Sequence, residues 1–340
     1  MAVSLELSRA QILGFRRSAS FLDERLPAGA KSLRLAAWAG LQDSMPRAAL
    51  LSIHARVKNT APATWEHSSL VQIWGPRFNN YVIAAKDLPV FTLGRLPDDA
   101  HRRARCLDTA ARLQAILGNR RIPFGQAGRE LRVVHNSLRY AAPTGTVLMR
   151  WDGAKQPVIW CVPAPALDPL HARLELARRH LHIFGPATAS SFGDWAGIKS
   201  TEARSAWAAL ERELVPVRTP VGAAWILAED EDAIRSRLAP AAPARLLPSG
   251  DTYYLSWGMD RKLLIPEAKR RAALWTTRVW PGALLVNGEV AGTWRRAGAE
   301  VSIETWRRLS PAERQAAETE AQSLPLPDLE GPIIAKTRPP

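Results

Sequence analysis

Residues 36–57 read AAWAGLQDSMPRAALLSIHARV and organise the rest of the chain. Residues 31–41 carry apolar side chains at helical spacing, so a first short helix is predicted there. A second helix follows a polar turn, with Ser44 as its N-cap and Pro46 near its start, where a missing N–H has no cost. Two short helices joined in this way are typical of a helix-turn-helix.

The turn between these helices consists of Gln42, Asp43 and Ser44, which we call the elbow. The second helix is predicted to bury Leu50 and Ile53 and to leave three basic residues at its rim. Those residues are Arg47, His54 and Arg56. The simplest interpretation of the elbow is that its polar groups only end one helix and cap the next.

Composition limits the classes of protein to consider. A chain of 340 residues suits two to four compact units, and a net charge of +14 favours a polyanionic partner, of which nucleic acid is the most common. Two cysteines form no disulfide framework, which suits a reducing compartment. The sequence shows neither a signal-peptide pattern nor an apolar run of the roughly 20 residues that span a membrane. We therefore expect a cytoplasmic, nucleoid-associated protein without a membrane partner.

The chain order predicts an α+β fold of tandem winged-helix units with a C-terminal region containing a β-hairpin. Helix-turn-helix patterns are repeatedly followed by pairs of strand-like segments, which is the order of a winged helix. Asn287-Gly288 is the strongest hairpin signal, and Ser310 with Glu313 forms a capping box. The predicted units are a first winged helix at 1–98, a second winged-helix-like unit at 99–165, a central winged helix at 166–232, a hairpin and helix region at 245–324 and a mobile tail at 325–340.

Four stretches resemble, in order, segments of the AlkZ/YcaQ-like winged-helix DNA glycosylases. They are the elbow pattern GLQ-x-x-x-P-x-x-ALL-x-x-x-AR-V, SLVQIWGPRFNNYVIAAKDLPVF at 69–91, LHIFGPATASSFGDWAG at 181–197, and RKLLIP with ALLVNGEVAGTW between 261 and 294. The resemblance covers most of the chain and implies that it acts on DNA.

In that family, two polar residues flanking one spacer, Gln-x-Gln or Gln-x-Asp, act on the N-glycosidic bond. The resemblance implies that Gln42 is the first of these residues, Ser44 the second and Asp43 the spacer. The predicted catalytic residues are therefore these three, with Gln42 positioning the water with help from Ser44 or Asp43. A cationic alkylated base is already a good leaving group, so the site chiefly has to position water. Ser44 departs from the family pattern, and so does Arg77-Phe78-Asn79-Asn80-Tyr81, which stands where the family has Arg-Gly-Thr-x-His.

The expected partner is double-stranded DNA, bound by a monomer without metal or organic cofactor. His180-x-His182 is a weak metal motif because it lacks a third ligand nearby. The predicted function is a glycosylase for alkylated or crosslinked bases, and the alternative is a catalytically inactive DNA-binding protein or regulator on the same scaffold. Trp294 is the tryptophan expected to meet DNA, and the predicted DNA contacts are Arg47, Arg56, Arg77, Asn79, Tyr81, Lys199, Arg204, Arg295 and Arg296.

Overall fold

The computed structural model describes residues 5–153, 155–236, 239–255, 259–327, 329 and 331–339. Within that part, helices and strands mix throughout, and the strands form three separate sheets, which confirms the predicted α+β class. No helix among these residues is both long and apolar enough to cross a bilayer.

The N-terminal part of the chain supplies the elbow and its supporting strands. Its elements are β1 (Leu5–Glu6), α1 (Arg9–Ala19), α2 (Ala30–Ala36), β2 (Leu41–Gln42), α3 (Ala48–His54), β3 (Leu70–Trp74), β4 (Asn80–Ala84) and α4 (Leu88–Leu93). Ser8 and Gln11 form a capping box that begins α1. β3 and β4 make the predicted antiparallel wing, with the bend at Gly75-Pro76.

The next part of the chain adds strands to the same sheet. Its elements are α5 (Ala100–Leu117), β5 (Ile122–Pro123), α6 (Phe124–Glu130), β6 (Val147–Arg150) and β7 (Val158–Cys161). The strand order is β2-β4-β3-β6-β7-β5, with β3 and β6 paired at Gln72 and Met149. The predicted units 1–98 and 99–165 therefore share one sheet, and their division at residue 98 stays a prediction.

The central part has the order of a winged helix: three helices and then a hairpin. Its elements are α7 (Pro169–Phe184), α8 (Ala189–Ala196), α9 (Ser200–Ala209), β8 (Leu214–Thr219), β9 (Gly222–Leu227) and α10 (Glu231–Arg235). Thr188 and Ser191 form a capping box at α8, and the apolar faces pack around Phe192, Trp195 and Trp207. β1 pairs in parallel with β8, so the start of the chain extends this wing.

The C-terminal part forms a five-stranded sheet in the order β10-β11-β12-β13-β14. Its elements are β10 (Ala244–Leu247), α11 (Asp260–Leu264), α12 (Ala268–Leu274), β11 (Gly282–Val286), β12 (Glu289–Ala297), β13 (Glu300–Thr305), α13 (Pro311–Gln322) and β14 (Ile334–Arg338). Asn287 and Gly288 form the predicted hairpin turn, with φ angles of 50° and 83°. Ser310 and Glu313 form the predicted capping box of α13.

The prediction of a mobile tail over residues 325–340 is wrong for its described part. β14 pairs in parallel with β13, and Ile333 just before it is buried in the core of the C-terminal sheet. The apolar residues of the tail explain this outcome, because they cover core surface that would otherwise face water.

Helix α3 lies where two cores meet, and all seven of its residues are buried. Leu50 and Ile53 pack in the N-terminal core, whereas Leu51 packs in the core of the C-terminal sheet. The prediction that His54 lies at a rim is therefore wrong. Its ring bonds Thr60 at 2.7 Å and Ser323 at 3.0 Å, and burial, with the charges of two arginines, lowers its pKa to about 3.

Candidate active site and nucleic-acid interface

The elbow is held by a short strand pairing. In β2, Gln42 lies opposite Tyr81 of β4, and the Asp43 N–H donates to the Asn80 carbonyl at 2.7 Å. Arg47 then takes a left-handed conformation, with φ of 66°, just before α3 begins. This sharp reversal keeps the elbow at one end of α3 and against the edge of the six-stranded sheet.

Asp43, and not Ser44, caps helix α3. The Asp43 Oδ1 atom accepts the Ala49 N–H at 2.9 Å, which satisfies one of the free N–H groups at the start of the helix. The prediction that Ser44 is the cap is wrong, since Arg47 is the N-cap position and no side chain bonds there in the usual register. Asp43 lies four residues before the N-cap position Arg47, and its side chain is long enough to reach the first turn of α3 from there.

Gln72 fixes the other oxygen of Asp43. The Gln72 Nε2 atom donates to Asp43 Oδ2 at 2.6 Å, and its Oε1 atom accepts the Trp151 N–H at 2.7 Å. This amide therefore joins the elbow to the end of β6. Sequence reasoning missed Gln72, although an amide within the apolar run LVQIW is a signal for a buried polar contact.

Burial dominates the acid–base behaviour of Asp43, which is 2% exposed. Desolvation raises its pKa to about 6, against the opposing effects of its two hydrogen bonds and of the Arg47 and Arg150 charges. With both oxygens already bonded inside the protein, Asp43 is a supporting residue of the elbow.

Gln42 and Ser44 differ from Asp43 because each has a polar atom without a partner. The Gln42 Oε1 and Ser44 Oγ atoms are buried and accept no hydrogen bond from any group in the described part of the chain. Such groups are costly inside a protein unless they serve a ligand or water. They are the two residues that the family resemblance singled out at the elbow.

A loop from the C-terminal part packs directly on Gln42. A Cβ atom on Gly250 would lie 3.2 Å from the Gln42 Cδ and Nε2 atoms, and Gly250 has φ of +77°. Both the close approach and the left-handed backbone favour glycine. The position of the Gln42 amide therefore depends on where this loop is held.

Arg56 and Asp251 hold that loop in place. The guanidinium donates to both Asp251 oxygens at 2.7 and 2.8 Å, and Ser52 donates to Asp251 at 2.6 Å. Arg56 and Asp251 are each 1% exposed. The prediction of Arg56 as a DNA contact is therefore wrong: its charge is neutralised inside the protein by a partner 195 residues away.

A cleft of about 360 Å³ lies beside the elbow. Met45 and Pro46 line one side, and the hairpin residues Arg295 and Arg296 line another. Both arginines are exposed, so the cleft carries positive charge next to the elbow. Trp294 also borders the cleft but is only 5% exposed, and its ring N–H donates to the Leu247 carbonyl at 2.9 Å. It is a core residue, contrary to the expectation that it meets DNA.

Tyr81 is the other predicted DNA contact that the structure buries. It is 1% exposed and packs in the core that joins the six-stranded sheet to the central helices. Its ring lies so close to Gly75 that a Cβ there would be 2.8 Å away. Burial raises the pKa of its hydroxyl well above the usual range. Tyr81 is therefore a core residue that packs between the wing strand β4 and the central helices.

The remaining predicted contacts lie at or near the surface. Arg77, Lys199 and Arg204 are exposed, whereas Asn79 is half-buried. Half-buried Arg47 stacks on Trp65, with the guanidinium carbon 4.9 Å from the ring centroid. Lys199 lies 3.7 Å from Asp99. Their roles in binding stay predictions.

No group of three or more potential metal-ligating side chains occurs within the described ranges. His180 is buried and stacks on Phe184, and His182 bonds Asp230 at 2.8 Å. These contacts account for the two histidines by packing and hydrogen bonding.

Helix-turn-helix units with hairpin wings, joined to a hairpin-containing C-terminal sheet, place the chain in the class of winged-helix proteins. A family model described as DNA glycosylase AlkZ-like matches residues 35–325, so the chain belongs to this family. The resemblance found in the sequence is thereby confirmed.

One relative in sequence and one solved structure show the likeness. The interstrand DNA cross-link repair glycosylase of Streptomyces sahachiroi is 29% identical over 161 residues, which are 45% of this chain and 42% of that protein. This match thus spans about two fifths of the relative's length. The solved structure of Streptomyces sahachiroi DNA glycosylase AlkZ superposes with a TM-score of 0.79 at 16% identity, covering 98% of this chain and 100% of that one. At that identity the superposition establishes the shared fold.

Proposed function

We propose that this protein is a DNA glycosylase that hydrolyses the N-glycosidic bond of alkylated or crosslinked bases in double-stranded DNA. The observation that carries the proposal is the pair of buried, unpartnered atoms at the elbow, Gln42 Oε1 and Ser44 Oγ, beside a basic cleft. Membership of the DNA glycosylase AlkZ-like family supports the same reaction.

In the proposed mechanism, Gln42 positions the attacking water. Its carbonyl oxygen accepts a hydrogen bond from the water, and the Ser44 hydroxyl supplies a second polar contact. Neither group is a strong base. The alkylated base, cationic while it is attached, leaves as a neutral molecule with the electron pair of the N-glycosidic bond. Water then attacks the oxocarbenium-like sugar and gives up its proton to solvent. Asp43 acts through the elbow, since its two oxygens hold α3 and Gln72. Arg77, Arg295 and Arg296 are proposed to contact phosphates.

The alternative is a DNA-binding protein without catalysis. One observation favours it: the only carboxylate of the elbow turns inward, so the elbow presents no free base to a water molecule. The two functions predict the same partner and differ only in base release.

Single-turnover excision on a duplex with one N7-alkylguanine tests the proposal. The wild type is expected to release the base, and Gln42→Ala to slow release by roughly 100-fold, at the low end of what a positioned catalytic group contributes. Gln315→Ala, which changes an exposed glutamine on α13, is the matched control and should keep the wild-type rate.

Tight duplex binding by the wild type, without release of any alkylated base, establishes the non-catalytic alternative. A Gln42→Ala protein that releases base at the wild-type rate removes the elbow from the mechanism. Thermal unfolding of each variant shows whether a lost rate reflects a lost fold.

A further inference from the structure

A second basic cavity lies on the far side of Arg295. It has a volume of about 720 Å³ and lies between α12 and the strands β12, β13 and β14. Four cationic side chains line it, together with the indole of Trp306 and two carboxylates. The cations are Lys269, Arg270, Arg295 and Arg338.

The strand register explains why these cations share one face. Thr293, Glu304 and Arg338 lie opposite one another across three strands, and Arg295 lies two residues further along β12. Residues of odd and even position alternate between the faces of a strand. Trp294 and Ile303 therefore point to the opposite face, where they join the core under α13.

The cavity carries an excess of positive charge. Arg270 pairs with Glu267 at 2.8 Å, which neutralises one cation and one carboxylate. Lys269, Arg295 and Arg338 form no ion pair with any described carboxylate closer than 4.0 Å, and Glu304 is the remaining acidic group of the lining. Lys269 and Arg338 are exposed, so their charges are available to a ligand.

The shape and chemistry of the lining suit a sugar–phosphate chain. Trp306 forms a flat apolar wall, with the Arg270 guanidinium carbon 5.9 Å from its ring centroid. Cations provide contacts to phosphate, while an indole face covers the less polar sugar. A cavity of this size is larger than one phosphate needs.

Arg295 connects this cavity to the cleft at the elbow, because it lines both. We propose that the cavity binds the phosphodiester backbone of double-stranded DNA that continues beyond the elbow cleft, with Lys269 and Arg338 contacting phosphates. The choice of DNA as the polyanion rests on the proposed function, whereas the binding site itself requires no catalysis. It makes β14 part of the DNA interface.

The test compares a Lys269→Ala/Arg338→Ala variant of the full chain with the wild type. Binding of each protein to an undamaged duplex is measured by fluorescence anisotropy over a range of salt concentrations. Losing two phosphate contacts should reduce the slope of log K against log salt by nearly 2, which corresponds to roughly 60-fold weaker binding at 0.1 M salt. Both side chains are exposed, so we expect unchanged thermal unfolding.

The matched control is Arg129→Ala/Arg314→Ala, which removes two exposed arginines on α6 and α13. It should keep the wild-type slope. A Lys269→Ala/Arg338→Ala protein with the wild-type slope, or a loss equal to that of the control, overturns the assignment. A variant that binds single-stranded RNA more weakly than the wild type, but binds duplex DNA equally well, also overturns the assignment.

The binding assay and the excision assay test the two proposals independently. A wild type that releases base, while the Lys269→Ala/Arg338→Ala variant binds duplex normally, refutes this site and leaves the proposed function standing. A wild type that binds DNA but releases no base refutes the reaction and leaves the salt-slope test valid.

Discussion

Replacing Arg56 by methionine tests whether this arginine belongs to the interior or to the DNA surface. Its guanidinium makes two bonds to Asp251, one to Thr252 Oγ1 at 3.0 Å and one to the Ser52 carbonyl at 2.9 Å. The substitution keeps most of the apolar volume and leaves Asp251 as an uncompensated buried charge. Removing one partner of a buried pair typically costs about 3–5 kcal/mol.

The loss should fall near the lower end of that range. Asp251 keeps the Ser52 hydroxyl at 2.6 Å and the Tyr253 N–H at 3.0 Å, which stabilise the remaining carboxylate. We therefore expect Arg56→Met to lower the free energy of unfolding in urea by about 3 kcal/mol. The base-release rate should fall as well, because Gly250 would no longer hold the Gln42 amide.

The double variant Arg56→Met/Asp251→Leu and the exposed-site control Arg204→Met complete the experiment. The double variant should recover part of the lost stability, since it buries no lone charge. Arg204→Met should change stability by less than about 0.5 kcal/mol. An Arg56→Met protein that unfolds like the wild type but binds duplex more weakly refutes this reasoning and restores Arg56 as a surface contact.

Two further outcomes are expected at the elbow. Because the pKa of Asp43 is about 6 when folded, above its unfolded value of 3.8, its contribution to stability is complete below pH 4 and is lost as the pH rises through 6. We therefore expect the free energy of unfolding in urea of Asp43→Asn, measured relative to that of the wild type, to be about 3 kcal/mol higher at pH 7 than at pH 4. The same difference between the two proteins at both pH values would contradict this. Gly250→Ala should slow base release with little change in duplex affinity, because its Cβ displaces Gln42; an unchanged rate would show that this contact is unimportant.

Local sequence signals predicted the individual elements well. The Ser310–Glu313 capping box and the Asn287-Gly288 turn are present as predicted, because each depends on residues within a few positions of one another. Helix starts and tight turns are determined by such short-range contacts.

Long-range partners could not be predicted in the same way. Arg56 pairs with Asp251, which lies 195 residues further along the chain, and β14 pairs with β13 although α13 lies between them in the sequence. A charged residue on a predicted helix is usually at the surface, so nothing local indicated that Arg56 is buried. The same holds for Tyr81, whose strand is covered by the central helices.

The elbow also explains how Ser44 is compatible with the proposed reaction. A carboxylate at that position would be needed to deprotonate water for a poor leaving group, but an already cationic base departs with less assistance. The requirement that remains is geometric: Gln42 must hold the water at the sugar. Asp43, Gln72, Arg56 and Asp251 all serve that geometry through contacts of 2.6–2.9 Å. In the proposed mechanism, catalysis therefore depends on the rigid support of the Gln42 amide, and we expect the substrates to be limited to bases that leave readily.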